Sequence, residues 1–485
     1  MTLTIETLNG AAASSQLAES FTPSTTSVAS SLVLTAFLGL LPLAFFFVLL
    51  GAFKVKTHVC AIASLGVAVL VAIFGFGMPA GLTLLSATQG AAFGIFPIVY
   101  IVVMAVWLYN LTERTGRSED VRAVFAAVGR GDMRVQALLI GFCFCGLIEG
   151  LAGFGAPVAI SCAMLLALGL PPLKAALVTM VGNALNVCFG AMSIPVTTAA
   201  KLGGAAPDAV GATQGRITPL FLCWIPVLLL AILDGRRGVR QAWPAALVAG
   251  VTMGLGHVVA ANFLSYELTA VFASLVSFAS VTLLLRLWRP DTPDELRSQT
   301  SGGKLTGSRV TLGLLPYWLV VVVFGVAKLW KVGVDVPAAL ASTDATFAWP
   351  GLHGKLVSAS GEVSSSTVFG LQWLSSPGTM LLLTGIAVSI VYGRTSSGGL
   401  YPFSFARGMA ALGRTIADLR LAILTIATVM ALAYVMNFSG QTVAIGTWLA
   451  ATGGAFAFLA PVLGWIGTAV TGSATSAGAL FANLQ

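Results

Sequence analysis

Apolar residues run along this chain in stretches of about twenty, separated by short polar and mostly basic connections, from residue 31 to the end. Hydrocarbon about 30 Å thick takes about 20 such residues to cross as a helix. The runs predict spans over 31–52, 59–78, 88–109, 217–234, 244–263, 268–288, 311–330, 377–393 and 420–437. Because apolar positions are continuous and do not alternate, helices are expected and a transmembrane β-barrel is not. The expected fold class is an all-α polytopic membrane protein.

Two regions depart from simple spans. An apolar run over 135–148 leads into Glu149-Gly-Leu-Ala-Gly-Phe-Gly-Ala-Pro157, and about 13 apolar residues then reach Leu170 ahead of Pro171-Pro172-Leu-Lys174. Each arm is short for a crossing. A re-entrant hairpin is therefore expected, turning near the midplane at Gly150–Gly155 and returning to the side it entered. The chain continues over 175–200 through Gly182-Asn183-Ala-Leu-Asn186 and Gly190-Ala-Met-Ser193-Ile-Pro195. Gly, Asn, Ser and Pro halfway along predict a broken helix.

The second such region runs from 445 to the end, through Thr471-Gly472-Ser473-Ala474-Thr475-Ser476-Ala-Gly478. Three spans followed by a Gly-rich hairpin thus occur twice, in opposite orientations. Asn110-Leu-Thr-Glu-Arg-Thr and Asn437-Phe-Ser-Gly-Gln-Thr weakly echo each other ahead of the two hairpins. This is the plan of an inverted-repeat transporter with two re-entrant hairpins and interrupted helices. The expected divisions are a polar N-terminus over 1–30, a first repeat over 31–203, connecting spans and a linker over 204–310, and a second repeat over 311–485. Symmetry also predicts a counterpart of 156–200 beyond Gln485, of about 40 residues or more.

Charge orients this plan. Lys54 and Lys56, then Arg114, Arg117, Arg122, Arg130 and Arg134, then Arg236, Arg237 and Arg240 fall in connections that the positive-inside rule places in the cytoplasm. The linker from Arg286 to Arg309 and the stretch from Arg394 to Arg420 join them. The N-terminus and the Ser/Thr-rich stretch 331–376 are then outside, in a cell inner membrane, with Phe347, Trp349 and Trp373 at the interface. Only 9% of residues are charged, against about 25% in soluble domains. The net charge of +8 lies in these short connections, facing anionic lipid and not nucleic acid. The first 30 residues lack any Lys or Arg, unlike a signal peptide's charged start. The six cysteines lie in or beside apolar runs, where Cys packs as a small hydrophobe.

Of seventeen acidic residues, Glu149 alone is expected deep in an apolar region. A charge there is costly, so an intramembrane acid is a functional candidate. Burial favours its neutral form and lets it take up and release a proton. An anionic substrate needs positive potential, yet no span carries a basic residue at its middle. The helices returning from the two hairpin tips, after Gly155 and Ser473, present N-termini able to hold a carboxylate. Gly150, Gly153 and Gly155, with Phe154 among them, allow close approach to the backbone. Ser473, Thr475 and Ser476, with Asn183, Asn186 and Ser193, can bond a carboxylate and a 2-hydroxyl; each can equally serve as a helix–helix hydrogen bond. His257 reads as a packed neutral histidine or a proton relay, and Trp107, Tyr109 and Tyr434 as interface anchors. No His-Glu-x-x-His pattern or buried carboxylate pair supports an enzyme, and no charged ring or carbonyl filter supports a channel. No cofactor is expected. The coupling ion is H⁺, with Na⁺ held by unwound carbonyls near Gly153 and Gly472 as the alternative.

The motifs Glu149-Gly-Leu-Ala-Gly-Phe-Gly-Ala-Pro-Val-Ala-Ile160, Leu108-Tyr-Asn-Leu-Thr-Glu-Arg-Thr-Gly116, Pro171-Pro-Leu-Lys-Ala-Ala176 and Thr471-Gly-Ser-Ala-Thr-Ser-Ala-Gly-Ala-Leu-Phe-Ala-Asn-Leu-Gln485 resemble those of the bacterial L-lactate permease family. The resemblance covers most of the chain. It implies uptake of lactate, and often glycolate, with protons across the cytoplasmic membrane, and a further interrupted segment beyond the position of Gln485. Where the family commonly has an Asp and an Asn in the last motif, this chain has Ala474 and Gly478. That departure puts substrate and stoichiometry in question and leaves Glu149 as the coupling acid.

Overall fold

The computed structural model describes residues 20–151, 156–297, 306–327, 336–357, 363–397, 399–471 and 474–482. Among the described residues, eight helices are long and apolar enough to cross a membrane, or eleven if each of three bent pairs counts as one crossing. The protein is an all-α polytopic membrane protein. Outside this pattern, Ala345–Ala348 pairs antiparallel with Val368–Leu371, and Phe347 packs on Trp349 and Phe369.

The helices Leu32–Ala52, Thr57–Gly75, Tyr266–Leu287, Pro377–Arg394 and Arg420–Ser439 follow the apolar runs closely. Others correct the expectation. In place of one span over 88–109 there are two helices, Ala80–Phe93 and Tyr100–Thr115, because Phe96 takes an extended conformation ahead of Pro97. The span over 311–330 is bent by 60° between Gly307–Gly313 and Leu315–Phe324. The expected spans over 217–234 and 244–263 are both present, as a helical path Pro207–Leu264 that reverses at Asp234 and Gly235, both non-helical. Packing against small residues confirms the reversal: Gly250 abuts Leu222 and Cys223, and Gly254 abuts Pro219.

Small residues draw the helices together elsewhere too, as expected where lipid supplies no drive for apolar faces to meet. A Cβ added at Gly90 or Gly94 would fall within 2.9 Å of the backbone of Arg420–Ser439. At Gly385 it would strike the ring of Trp107, whose indole N–H donates to the Gly408 carbonyl at 2.9 Å. Trp107 is fully buried and Tyr109 nearly so. Neither is an interface anchor: helix packing against Gly385 and Gly408 claims the first, and a bond to Glu113 at 2.9 Å the second.

The first hairpin differs from expectation in its outgoing arm. The helix runs Met133–Leu151, 19 residues and buried beyond Met133, so it contains Glu149 and also Gly150, the expected start of the turn. Asp132 caps its start, accepting from the backbone N–H groups of Arg134 and Val135. The return arm is Ala156–Ala167, and the broken helix follows as Pro172–Asn183 and Asn186–Leu202, bent by 56°. Both feet of the hairpin stand at the Asp234 reversal. Arg134 bonds Asp234 at 3.0 Å and Asp132 at 2.8 Å, and Lys174 donates to the Leu233 carbonyl at 2.7 Å. The two arms therefore begin and end on one side, which makes the hairpin re-entrant.

The second hairpin repeats this order. Tyr100–Thr115 and Arg420–Ser439 each end at a glycine in the left-handed conformation, Gly116 and Gly440. A short helix follows each, Ser118–Val128 and Gln441–Ala450. Phe456–Thr471 and Ala474–Phe481 then form the two arms.

Burial opposes the charge on Asp234, but hydrogen bonds from Arg237 and Arg134 outweigh it and hold this carboxyl below its ordinary value. Replacing Arg134 by Gln leaves the buried Asp132 without its counter-ion, and removing one partner of a buried pair costs about 3–5 kcal/mol. Arg237→Gln, at a half-exposed pair, should cost less than about 1 kcal/mol. Thermal unfolding in detergent checks the contrast, and equal losses would mean that the foot is not held by Arg134.

Candidate functional site

The broken helix sets the geometry. After Asn183 the chain makes a turn and a short 3₁₀ segment, Asn186–Phe189. Ala191, Met192 and Ser193 then take left-handed conformations, with φ of 45°, 58° and 60°. Such backbone costs about 1–2 kcal/mol per residue without glycine. Strain of this kind persists where the surroundings over-determine it, and it gathers at functional sites. All three residues are buried, and the Ser193 hydroxyl donates to the Tyr266 carbonyl at 2.7 Å.

Glu149 faces this break from the first hairpin. It is 4% exposed, and the Asn183 amide donates to its carboxylate at 2.7 Å. Gly190 leaves room for the other oxygen, which an added Cβ would strike. One turn earlier, a Cβ at Gly146 would meet the Asn186 amide at 2.7 Å and the Ser274 hydroxyl at 2.8 Å. Absent side chains at 146 and 190 thus let the acid and two amides converge. Gly150 serves differently from expectation: Val271 and Ala270 fill the space over it, which is helix packing and not ligand approach.

His257 completes the cluster from behind. Its Nε2 lies 3.2 Å from Asn186 Oδ1 and its Nδ1 2.9 Å from the Thr218 hydroxyl. Phe189 stands edge-on to the ring, 5.2 Å between centroids. Fully buried and bonded at both nitrogens, the histidine fixes the Asn186 amide. Asn183 Oδ1 and Asn186 Nδ2 are buried with no hydrogen-bond partner among the described residues. One buried acceptor and one buried donor thus lie beside a carboxylate, an arrangement able to receive a hydroxyl and a carboxylate together.

The second hairpin reaches the same place. Its returning helix lies along the broken helix, Gly478 against Pro195 and Ala199 and Ala482 against Gly203. The two run in parallel, so the start of Ala474–Phe481 points toward the left-handed turn at Ser193. Thr475, near that start, is buried. The structure therefore joins Glu149, Asn183 and Asn186 in one cluster, with Ser193 in the adjoining turn and Thr475 on the approaching helix. Gly153, Phe154, Gly155 and Ser473 lie outside the described residues, as does the side chain of Ser476.

Some residues escape a reading of the spans. Four acids are deeply buried among the described residues, Asp120, Asp132, Glu149 and Glu267, and Glu267, 3% exposed, is bonded by the Ser265 hydroxyl on the connection that holds Ser193. Its signal is the brevity of the polar interval between two apolar runs. Thr218 has no signal of its own, since its partner is distant in sequence. Lys201, in the last turn of the broken helix, bonds Gln372 at 3.1 Å and sits 5.4 Å over the Phe93 ring.

Comparison with known proteins gives this geometry its setting. The family model for L-lactate permease matches residues 35–485. A glycolate permease of Escherichia coli K12 is 35% identical, over 93% of this chain and 83% of its own. L-lactate permeases of Bacillus subtilis 168 and Escherichia coli K12 are each 34% identical, over 97% and 94% of this chain and 86% and 84% of theirs. These relatives are permeases and not enzymes. With a match along nearly its whole length, the chain belongs to the L-lactate permease family.

Proposed function

We propose that this protein is a secondary transporter that carries lactate, glycolate or a closely related 2-hydroxy monocarboxylate into the cell together with a proton, and that Glu149 is the proton carrier. The observation that carries this reading is a buried acid hydrogen-bonded to Asn183 at the break of a helix. The named substrates of the relatives, lactate and glycolate, have the donor and acceptor pattern that Asn183 Oδ1 and Asn186 Nδ2 complement. The 2-hydroxyl donates to the first, and the carboxylate accepts from the second.

Charge makes the coupling obligatory. An ionised Glu149 a few Å from a bound carboxylate repels it by several kcal/mol in a protein interior, roughly 4 kcal/mol at 4 Å. Substrate therefore enters when Glu149 is protonated. The loaded site then holds one neutral acid and one anion, and the empty site holds one ionised acid. Both states carry the same charge through the membrane, which supports one proton per monocarboxylate. The break at 184–193 and the hairpin tips supply the backbone that the substrate meets, with Ser193, Thr475 and, by sequence, Gly153, Phe154, Gly155, Ser473 and Ser476 as further lining residues. The positive-inside pattern supports an inner-membrane setting with the N-terminus outside.

Proteoliposomes with an imposed inward proton gradient should accumulate labelled lactate, with glycolate competing and a protonophore abolishing uptake. Glu149→Gln should lower gradient-driven accumulation at least tenfold while sparing exchange. Undiminished accumulation would remove Glu149 from coupling, and dependence on Na⁺ at fixed pH without dependence on the proton gradient would replace the proton with sodium.

Asn183→Ala removes the acceptor for the substrate's 2-hydroxyl, a hydrogen bond between neutral groups worth about 0.5–1.5 kcal/mol. It should raise KM by roughly twofold to tenfold on the same figure. An unchanged KM would place the substrate elsewhere.

A further inference from the structure

At the opposite end of the first hairpin from Glu149, away from the substrate cluster, lies a cleft of about 710 Å³. The linker beyond Tyr266–Leu287 forms one wall, and the loop ahead of Met133 forms the other. Arg130, Arg289 and Arg297 line it, against a single lining carboxylate among the described residues, Asp291. An antiparallel bridge between Asp132 and Arg297 holds the two walls together.

Most polar groups around the cleft are already employed in building it. Asp291 accepts from Gln241 at 3.0 Å, and its carbonyl accepts from Arg134 at 2.8 Å. The Thr292 hydroxyl donates to Asp132 at 2.8 Å. The arginines are not so employed. Arg297 meets Asp294 at 3.3 Å, in a pair 67% and 92% exposed. Arg130 and Arg289 are exposed and have no carboxylate within ion-pair distance among the described residues.

The depth of the cleft is fixed by its neighbours. Leu283 and Leu287 are 61% and 86% exposed on the helix that ends just before Arg289, a face suited only to lipid. Trp288 follows at the position favoured by interfacial tryptophans. Arg289 therefore stands at headgroup level, on the side that the basic connections assign to the cytoplasm. A guanidinium binds phosphate through paired N–H donors and is less costly to dehydrate than an ammonium. Three of them exceed what one monocarboxylate needs, and the helix from Arg134 to Glu149 separates this cleft from the substrate cluster by about 22 Å.

We infer that Arg130, Arg289 and Arg297 form a binding site for a phosphate-bearing anion, either the headgroup of an acidic phospholipid or a soluble phosphate. Its walls are the linker and the loop that the hairpin foot holds together, so an occupant clamps that foot and stabilises the fold from the membrane surface.

Thermal unfolding of the purified full chain tests this in detergent, with phosphatidylcholine alone, with added cardiolipin or phosphatidylglycerol, and with inorganic phosphate. Arg130→Gln/Arg289→Gln/Arg297→Gln is compared with a charge-matched control, Arg236→Gln/Arg240→Gln/Arg394→Gln. Acidic phospholipid should raise the unfolding temperature of the wild type and the control and leave the cleft variant unmoved. The same pattern with inorganic phosphate in place of lipid assigns the soluble source. Equal shifts in the cleft variant and the control, or no shift with any probe in the wild type, would overturn the site. If the triple variant does not fold, Arg289→Gln alone, an exposed residue with no ion pair among the described residues, is read in its place by the same criteria.

Discussion

Hydrocarbon offers no partner to an unpaired N–H or C=O, so a helix that breaks inside a membrane must be enclosed by protein or face a polar cavity. The break at 184–193 meets this demand on every side. The first hairpin's outgoing helix brings Gly146 and Glu149 against it, the connection at Tyr266 takes the Ser193 hydroxyl, and Phe189 rests on His257. A local liability of the backbone thereby becomes the reason for the helix contacts around it. The same contacts hold Asn183 and Asn186 in the orientations that leave one acceptor and one donor unused.

Holding a hairpin half-inserted needs a second constraint, and it is electrostatic. Asp132 is at once the cap of the outgoing helix and the counter-ion of Arg134. Arg134 also reaches Asp234, Gln241 and the Asp291 carbonyl. One guanidinium so ties the foot of the hairpin to the reversal of Pro207–Leu264 and to the linker after the next helix. Because Lys174 bonds the same reversal, the hairpin cannot lengthen into two full crossings without breaking ion pairs buried at its base. The bonded foot and the strained break thus hold the outgoing helix at its two ends.

How far the sequence reveals this depends on the range of the interactions. Continuous apolar runs report lipid contact directly, and the spans near 31–52, 268–288, 377–393 and 420–437 agree with the helices. Glu149 and the polar interruptions at Asn183, Asn186 and Ser193 are visible because each violates an apolar surrounding. The outgoing arm is misjudged because Gly150 looks like the start of a turn, yet the helix continues through Glu149 and Gly150 where Asn183 satisfies the carboxylate and Val271 covers the glycine. Trp107 and Tyr109 look like interface anchors by position in a span, and only the partners Gly385, Gly408 and Glu113, two of them hundreds of residues away, show that they are buried. Thr218 and the Ser193 bond to Tyr266 depend on similarly distant pairs. No local pattern encodes them.

The second hairpin shows how a substitution in a motif can be read through packing. Its returning helix meets the broken helix at Gly478, where an added methyl would rest 3.4 Å from the Ala199 side chain and 3.6 Å from the Pro195 carbonyl. Those are ordinary contact distances, so alanine fits that space. Ala474 at the first position of this helix contributes no charge there. With the second hairpin uncharged, the acidity of the site rests on the first. Glu149 is the acid that faces the break, and the amide of Asn183 is what bonds it there.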